Sequence, residues 1–554
     1  MTPTARLYLI GDVNLQTLAR YLAHTALEDA RVEVAPSGPV AGALAAGPPG
    51  PEWTAIVWTR PELVSAAFQR ALDGEIVDAD EVLADVAAYA SALARFARQA
   101  SAVLTPTWVL PPFARGWGML DWRPNVGTAQ LLARMNLALA DALRNDASVF
   151  LLDASRWLST VGAHGWSQKS WYAAKSPFSA DTIEQAAGDI VAALDGLRGR
   201  ARRAIIVDLD DVLWGGVVGE VGPLGVRLGG HDPVGEAFVD FQRALKALSR
   251  RGVLLAIASK NDEAVAFEAI DRHPEMQLRR GDFAAWRIDW NDKAANVAAV
   301  LADLNLGAES AVFVDDQAIE RARVASAIPG ILVPDWPADP CRFREALTAL
   351  RCFDTPAVTS EDRARTAMAA AERSRRAAAA TTTVDDWLQS LDVRVDVEPL
   401  GPANLERATQ LLNKTNQMNL ATRRMTAAEL ATWAAGASRL VLTFRVADRF
   451  GDSGLTGLVG LDITGRDARL VDFLLSCRVM GRGVEQTMLH VAIAQARARG
   501  AATLRADLAP TARNAPCLDF FRRSGLTVAG AYTFTWDTAA AYPRPASVTV
   551  SGPS

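Results

Sequence analysis

Cysteine is scarce in this chain: Cys341, Cys352, Cys477 and Cys517 are the only four in 554 residues. They are too few and too irregular for a disulfide framework, and their lack of paired ligand spacing excludes structural zinc. No apolar run reaches the roughly 18 charge-free residues of a membrane span, and Met1 to Arg6 lack the basic-then-apolar order of a signal peptide. A cytoplasmic protein with no membrane partner is expected. A basic excess is missing too: 58 Lys and Arg against 63 Asp and Glu leave a net charge of −5, with the basic residues scattered rather than striped. That excludes a nucleic-acid partner. The length is too great for one core and implies three or four domains at roughly 100–200 residues each.

What the chain does have is a run of β-branched residues, Ile205-Ile206-Val207, ending in Asp208-Leu209-Asp210-Asp211 and then glycines. In an open α/β sheet, ligands collect at the carboxyl ends of the strands, so Asp208 and Asp210 would emerge side by side there. Two such carboxylates can hold Mg²⁺, and one can attack phosphorus while the other moves protons. Three downstream segments extend the pattern. Leu254 to Asn261 reads as a buried strand ending in Ser259, whose hydroxyl suits a phosphate oxygen. Lys293 opens a helix and could neutralise a phosphoryl group. Ala311 to Asp316 reads as a third strand ending in Asp315 and Asp316, both suited to Mg²⁺.

Asp-x-Asp, Ser, Lys and Asp-Asp in that order resemble the signature of the haloacid dehalogenase-like (HAD) phosphotransferases. Asp208 to Glu220, Ala258-Ser259-Lys260-Asn261-Asp262, His273-Pro274-Glu275-Met276, Asp282 to Trp286 and Asn413 to Arg424 together resemble the FkbH-like proteins, over about residues 200–535. The resemblance implies an enzyme that takes 1,3-bisphosphoglycerate or a related phosphorylated three-carbon acyl donor. Phosphate is lost, and the glyceryl unit becomes a thioester on the phosphopantetheine of an acyl carrier protein in polyketide-type biosynthesis. It makes Asp208 the nucleophile, Asp210 the general acid/base, and Ser259 and Lys293 the phosphoryl grip, with Asp208, Asp210, Asp315 and Asp316 around Mg²⁺. Val212 departs from the family pattern, which places a Thr there.

The fold class expected is α/β and multidomain. Residues 1–198 resemble an SGNH-hydrolase-like α/β domain, silent because Val13 stands where the nucleophilic Ser belongs and His164 lacks its Asp-x-x-His partner. Residues 199–356 form an uncapped HAD-like doubly wound parallel sheet, since the fifty or so residues between the first two strands leave no room for a cap. A charged helical connector with a solvated face follows at 357–390, then a GNAT-like α+β domain at 391–540 and a disordered tail at 541–554.

In the GNAT-like region, Cys477-Arg478-Val479-Met480-Gly481-Arg482-Gly483 follows a strand and opens a helix. It resembles the loop whose backbone N–H groups hold the phosphates of a pantetheine cofactor, which implicates Arg478, Gly481 and Gly483. Cys477 has two readings: an inert core thiol, or the thiol that holds the acyl group, with Arg478 favouring thiolate. Arg423 and Arg424 likewise have two: helix-terminal charges, or, with Lys260, a substrate-binding surface for phosphate or carboxylate. Two further functions stay open, a phosphatase fused to an acyl-CoA-dependent N-acyltransferase without a carrier protein, and a non-catalytic docking protein.

Overall fold

The computed structural model describes residues 5–27, 30–379 and 384–552. The chain divides into two compact units, one of Met1–Leu194 with Met425–Leu430 and one of Asp195–Arg424 with Ala431–Ser554.

The first unit is a parallel sheet of β1 (Ala5–Gly11), β2 (Ala30–Val34), β3 (Thr54–Trp58), β4 (Ala102–Pro106) and β5 (Val149–Leu152), ordered β2-β1-β3-β4-β5. Every residue of β3 and β4 is buried, as a parallel strand covered on both faces must be. Helices α1 (Ala79–Ala97) and α2 (Thr128–Leu143) supply Val82, Val86, Leu93, Met135 and Leu139 to this core.

The second unit holds two sheets. In the first, β6 (Ala204–Val207), β7 (Leu254–Ser259), β8 (Phe283–Ile288) and β9 (Ala311–Val314) run parallel in the order β8-β7-β6-β9. Between β6 and β7 the chain has only a four-residue helical turn, Val218–Val221, and helix α3 (Pro233–Arg250). Asp232 caps α3 by accepting from the Gly235 N–H at 2.8 Å. Helices α4 (Lys293–Leu304) and α5 (Ala318–Ala327) flank the sheet. Val212, at the family's Thr position, is fully buried in its core.

Helix α6 (Arg365–Ala379) leads toward the second sheet; residues 380–383 of the expected connector lie outside the described residues. This helix does not present a wholly solvated charged face: Arg375 is 4 % exposed and donates to both oxygens of Asp448, at 2.7 and 2.9 Å.

The second sheet is mixed, with strands β10 (Val393–Pro399), β11 (Met418–Asn419), β12 (Arg439–Asp448), β13 (Gly451–Thr464), β14 (Asp467–Leu475), β15 (Thr503–Asp507), β16 (Thr527–Gly530), β17 (Thr533–Asp537) and β18 (Val548–Ser551). The path runs β16-β17-β15-β14-β13-β12-β10-β18, with β11 on β14. In β10, buried Val393, Val395 and Val397 alternate with exposed residues, so one face packs and one is solvated. Helix α7 spans Leu405–Lys414, and α8 (Val484–Ala498) and α9 (Ala515–Arg523) bring Met488, Cys517 and Phe521 to the core that holds these valines. The expected disordered tail is instead ordered through β18, which pairs parallel with β10 from Val393↔Val548 to Asp396↔Ser551. Buried Val548 and Tyr542 pin it, and the Tyr542 hydroxyl donates to the Ser524 carbonyl at 2.7 Å. Apolar anchoring outweighs the Pro/Ser composition on which the expectation of disorder rested.

Candidate functional site

Strands β6 and β9 are in register from Ala204↔Ala311 to Val207↔Val314, so each delivers its next residue, Asp208 and Asp315, to the same edge. The backbone continues this pairing for one step, with Asp208 N–H donating to the Val314 carbonyl at 3.0 Å. Lys293 reaches them because Asp292 caps α4, accepting from the Ala295 N–H at 3.1 Å, and so fixes Lys293 as the first helical residue. Its Nζ donates to Asp208 Oδ2 at 2.5 Å and Asp315 Oδ2 at 2.6 Å, with all three side chains buried. Burial lowers the Lys293 pKa, but the facing charges of Asp208 and Asp315 outweigh it and hold the group above the ordinary lysine value. Asp315 is pushed upward by burial and by the Asp208 charge. Ser259 is buried at the end of β7.

Asp208, Asp315 and Asp316 can each offer an oxygen within 4.8 Å of the others. Asp316 Oδ1 is buried with no hydrogen-bond partner, and its pKa is raised by burial and by the charges of Asp208 and Asp211. A triplet of hard oxygen donors, one of them orphaned, fits a Mg²⁺ ion. Asp210, expected among the ligands, stands outside this triplet. Its Oδ1 accepts from Trp214 Nε1 at 2.8 Å and the Val218 N–H at 3.1 Å, and its Oδ2 accepts from Asn261 Nδ2 at 2.8 Å. Burial raises its pKa, which suits an acid/base more than a ligand. Trp214 and Asn261 are the supporting residues sequence reasoning missed; each lies within a few residues of a strand-end motif, but their reach back to Asp210 is not written in the spacing.

Lys260 does not face this centre as a free cation, since its Nζ is ion-paired with Glu320 at 2.6 Å. Arg423 grips Asp472 with both Nε, at 3.0 Å, and Nη2, and stacks 4.5 Å over Trp433. Arg424 is spent on the Leu412 and Thr415 carbonyls and on Asn416 Oδ1. All three expected substrate cations are therefore engaged by acceptors of the protein itself.

Cys477 lies elsewhere. It opens a 3₁₀ turn, Cys477–Val479, just past β14, and its Sγ is 4.0 Å from the Asn305 carbonyl. It lines a cavity of about 520 Å³ together with Arg203, Leu254, Ala284, Asn305, Lys414 and Arg478, among others. Arg203 precedes β6, Leu254 and Ala284 begin β7 and β8, and Asn305 precedes β9, so the cavity lies at the amino ends of the strands whose carboxyl ends carry Asp208 and Asp315. The strand from Ala204 to Asp208 alone spans about 13 Å. Burial raises the Cys477 pKa; Arg203 and Arg478 oppose that rise without reversing it, contrary to the expected thiolate.

The glycine loop has the expected place, between β14 and α8, and Gly481 and Gly483 have φ of 73° and 79°, left-handed values natural to glycine. Its donor is already taken: the Gly481 N–H donates to Glu485 Oε1 at 2.7 Å. Pro545 and Val548 cover Gly483, since an added Cβ would lie 3.3 and 3.2 Å from them. The Glu485 carboxylate thus holds one N–H of the loop where cofactor phosphates were expected, and Arg478 donates to Ser476 Oγ at 3.3 Å and Met368 Sδ at 2.7 Å.

In the first unit, position 13 is a buried valine beyond β1 and His164 is exposed. Asp12 accepts from the Arg60 N–H at 2.9 Å, and burial pushes its carboxyl up to about 6 against that bond and the Arg60 charge. There is no hydroxyl at position 13 to serve as a nucleophile.

Fold and side chains together define a multidomain α/β protein in which a parallel sheet carries a buried carboxylate and lysine centre at its carboxyl ends. No protein-family model matches the chain, and no curated protein matches it. Among solved structures it is similar to the N-terminal part of BF1531 from Bacteroides fragilis, a fragment containing a phosphatase domain and complexed with Mg. The TM-score is 0.57 and the identity 24 %, over 64 % of this chain and 95 % of that one. This likeness establishes a shared fold. Matches over 26 % of the chain to the GNAT domain of S. lividans PAT and to nourseothricin acetyltransferase, each at 19 % identity, have TM-scores of only 0.22 and 0.19 and carry no weight. Among the described residues, no helix is long and apolar enough to cross a membrane.

Proposed function

We propose that this chain is a Mg²⁺-dependent enzyme that removes phosphate from a phosphorylated three-carbon acyl donor, of the 1,3-bisphosphoglycerate type, and loads the glyceryl unit as a thioester onto the phosphopantetheine of an acyl carrier protein. The observation that carries it is the buried Asp208, bridged to Asp315 by Lys293 beside the orphaned oxygen of Asp316. Asp208 attacks phosphorus through a carboxylate oxygen, and the bond from phosphorus to the leaving oxygen breaks. Asp210, its pKa raised by burial, gives its proton to that oxygen and then takes one from the water that hydrolyses the aspartyl phosphate. Lys293 balances the charge gathered on Asp208, and the Ser259 hydroxyl is offered to a phosphoryl oxygen. Asp208, Asp315 and Asp316 would hold Mg²⁺, which supplies charge neutralisation at the phosphoryl oxygens.

Cys477 would attack the carbonyl carbon of the acyl phosphate, forming the carbon–sulfur bond as the carbon–oxygen bond breaks and phosphate leaves with the thiol proton; the phosphate that Asp208 removes is then the ester on the third carbon, not the acyl phosphate. Two centres at opposite ends of one sheet cannot exchange an intermediate by contact, so the acyl group has to travel. A long, flexible phosphopantetheine arm suits that requirement. The fused N-acyltransferase alternative stays compatible; it needs the glycine loop for acyl-CoA, where the Gly481 N–H is held by the Glu485 carboxylate. The docking-protein alternative leaves the buried acid and lysine cluster without a purpose.

The test is intact-protein mass spectrometry of wild type and Cys477→Ala with Mg²⁺, a 1,3-bisphosphoglycerate-generating system and a phosphopantetheinylated carrier protein. A glyceryl adduct on wild-type enzyme and carrier, lost in the variant, is expected. Phosphate release with no adduct on either protein would leave a phosphatase without a relay.

A further inference from the structure

The cavity at the amino ends of β6 to β9 has a charge balance that the protein itself does not close. Arg365, on its wall, is paired with Asp362, and Arg375 with Asp448, while Arg513, at 2.6 Å from Glu309, is also matched. Arg203, Arg407, Lys414 and Arg478 are different. Among the described residues, the first donates to Ser310 Oγ at 2.8 Å and has its buried Nε without a partner. Arg407 donates only to the Leu455 carbonyl at 3.3 Å and the Gln410 side chain at 3.1 Å. Arg478 is bonded to a hydroxyl and a thioether, and Lys414 Nζ makes no hydrogen bond or ion pair among those residues.

Four cations from three different places in the chain thus line one space, and among the described residues no carboxylate bonds to any of them, though Asp303, Glu309 and Glu372 also line it. Helix spacing makes this concerted: Arg407, Gln410 and Lys414, three and four residues apart, share one face of α7. Burial and mutual repulsion show in their titration. Lys414 is pushed down to about 7, first by burial and then by Arg365, and Arg478 to about 9, first by burial and then by Arg407 and Arg365. Asp362, the buried acid nearby, is raised by its burial but held down to about 2 by Arg365, Lys414, the Thr359 N–H and Arg407, so it is already fully ionised and cannot supply more charge. Half-buried cations with no bonded acid are costly, and a fold that gathers several around a cavity suits an anion there.

We infer that this cavity binds a small phosphate monoester, gripped by Arg203, Arg407, Lys414 and Arg478, with the organic part of the ligand beside Cys477. A phosphate monoester brings about −1.5 to −2 charge at neutral pH and three acceptor oxygens, which suits two or more guanidinium forks better than a single carboxylate. At about 520 Å³ the space exceeds one phosphate and falls within the range of small-ligand sites. The inference rests on charge and enclosure, and it stands whether or not Asp208 hydrolyses phosphate. Two ligands share the phosphate-ester chemistry, a free phosphorylated metabolite and the phosphopantetheine diester of a carrier; the single charge of a diester would leave more of the cluster unbalanced.

The experiment uses the full chain carrying Asp208→Asn, so that turnover is silenced and the other phosphate centre is altered independently. Titration calorimetry with 3-phosphoglycerate is paired with the rate of Cys477 alkylation by iodoacetamide, read by mass spectrometry. 3-Phosphoglycerate is expected to bind and to slow alkylation, whereas glycerate does neither. Adding Lys414→Met or Arg407→Gln should weaken binding by about tenfold to a hundredfold and remove the protection, whereas Lys414→Arg should retain both. Thermal melting checks that each variant is folded, and the Arg407 and Lys414 substitutions serve as independent routes should one fail to fold. Equal binding and equal protection in Lys414→Met, Arg407→Gln and their parent would overturn the inference. Protection by a phosphopantetheinylated carrier protein in the absence of any by 3-phosphoglycerate would overturn the monoester assignment.

Discussion

The two ends of the parallel sheet in the second unit handle buried charge in opposite ways. At the carboxyl ends, Lys293 is bonded to both Asp208 and Asp315. At the amino ends, Arg203, Arg407, Lys414 and Arg478 surround a cavity with no carboxylate bonded to them among the described residues. The first centre pairs its cation within the protein and keeps an acid excess, the Asp316 oxygen included, that suits a metal ion. A centre left unbalanced is built to be completed by its ligand.

The largest effect should come from the carboxyl ends. Asp208→Asn removes the nucleophilic carboxylate and should lower phosphate release from a phosphate monoester by about 10⁴-fold or more, measured as inorganic phosphate per enzyme. Asp210→Asn should cost on the order of 10²–10⁴-fold in the same assay, because it removes only proton transfer. Neither change should alter protection of Cys477 by 3-phosphoglycerate. A loss of that protection in Asp208→Asn would erase the distinction between the two ends.

A smaller effect tests what happens when balance is removed from the cavity wall. Asp448 accepts from Arg375 at 2.7 and 2.9 Å and from Arg482 at 3.0 Å, all three side chains being nearly inaccessible. Asp448→Ala leaves the buried Arg375 and Arg482 guanidinium groups to share Glu372, at 3.4 and 2.6 Å, and should destabilise the fold toward the lower end of about 3–5 kcal/mol. The measurement is the denaturant midpoint of the full chain at fixed salt. A shift below about 1 kcal/mol would mean that buried cations are cheap here, and the unbalanced cluster would then lose its significance.

How much of this was legible in the sequence follows from the kind of order each feature needs. Asp208, Ser259 and Asp315 each end an apolar strand, so local pattern plus the rule for parallel sheets places them together, and Lys293 follows from a helix start. Four strands of the nine-stranded second sheet, β10, β12, β13 and β14, were readable for the same local reason, alternation in β10 above all. The cationic cavity was not legible, because Arg203, Arg407, Lys414 and Arg478 come from segments that only tertiary packing unites. The glycine loop shows the converse failure. Its strand, loop and helix are where the motif puts them, but Glu485 reaches back to the Gly481 N–H, a side-chain choice the motif does not contain. Arg423 and Arg424 were ambiguous for want of their partners, and Asp472 lies 49 residues from Arg423. The tail misled through composition, since two buried anchors suffice to order it.

The smallest predicted effect is also the most direct sign of an unfilled site. Replacing Lys414 by Met removes a cation with no partner and keeps the apolar stem, so the ligand-free protein should become more stable by about 1–3 kcal/mol, read from its melting temperature. The gain should depend on pH with a definite sign. An unfolded lysine titrates near 10.4, whereas Lys414 in the fold titrates near 7, lowered first by burial and then by Arg365, with Arg203 and Arg407 adding to the repulsion and Asp362 opposing it. Below about pH 7 both states carry the proton and the folded protein bears the whole penalty; between about 7 and 10 the unfolded chain holds more protons, so wild-type stability climbs relative to the variant. The advantage of Lys414→Met should therefore be widest near pH 6 and close as pH approaches 10. Saturating 3-phosphoglycerate should reverse it at pH 6, since the ligand supplies the missing charge to wild type only. An advantage that is the same at every pH and with or without ligand would mean that Lys414 acts through packing alone, and the contrast between the two ends of the sheet would reduce to one of shape.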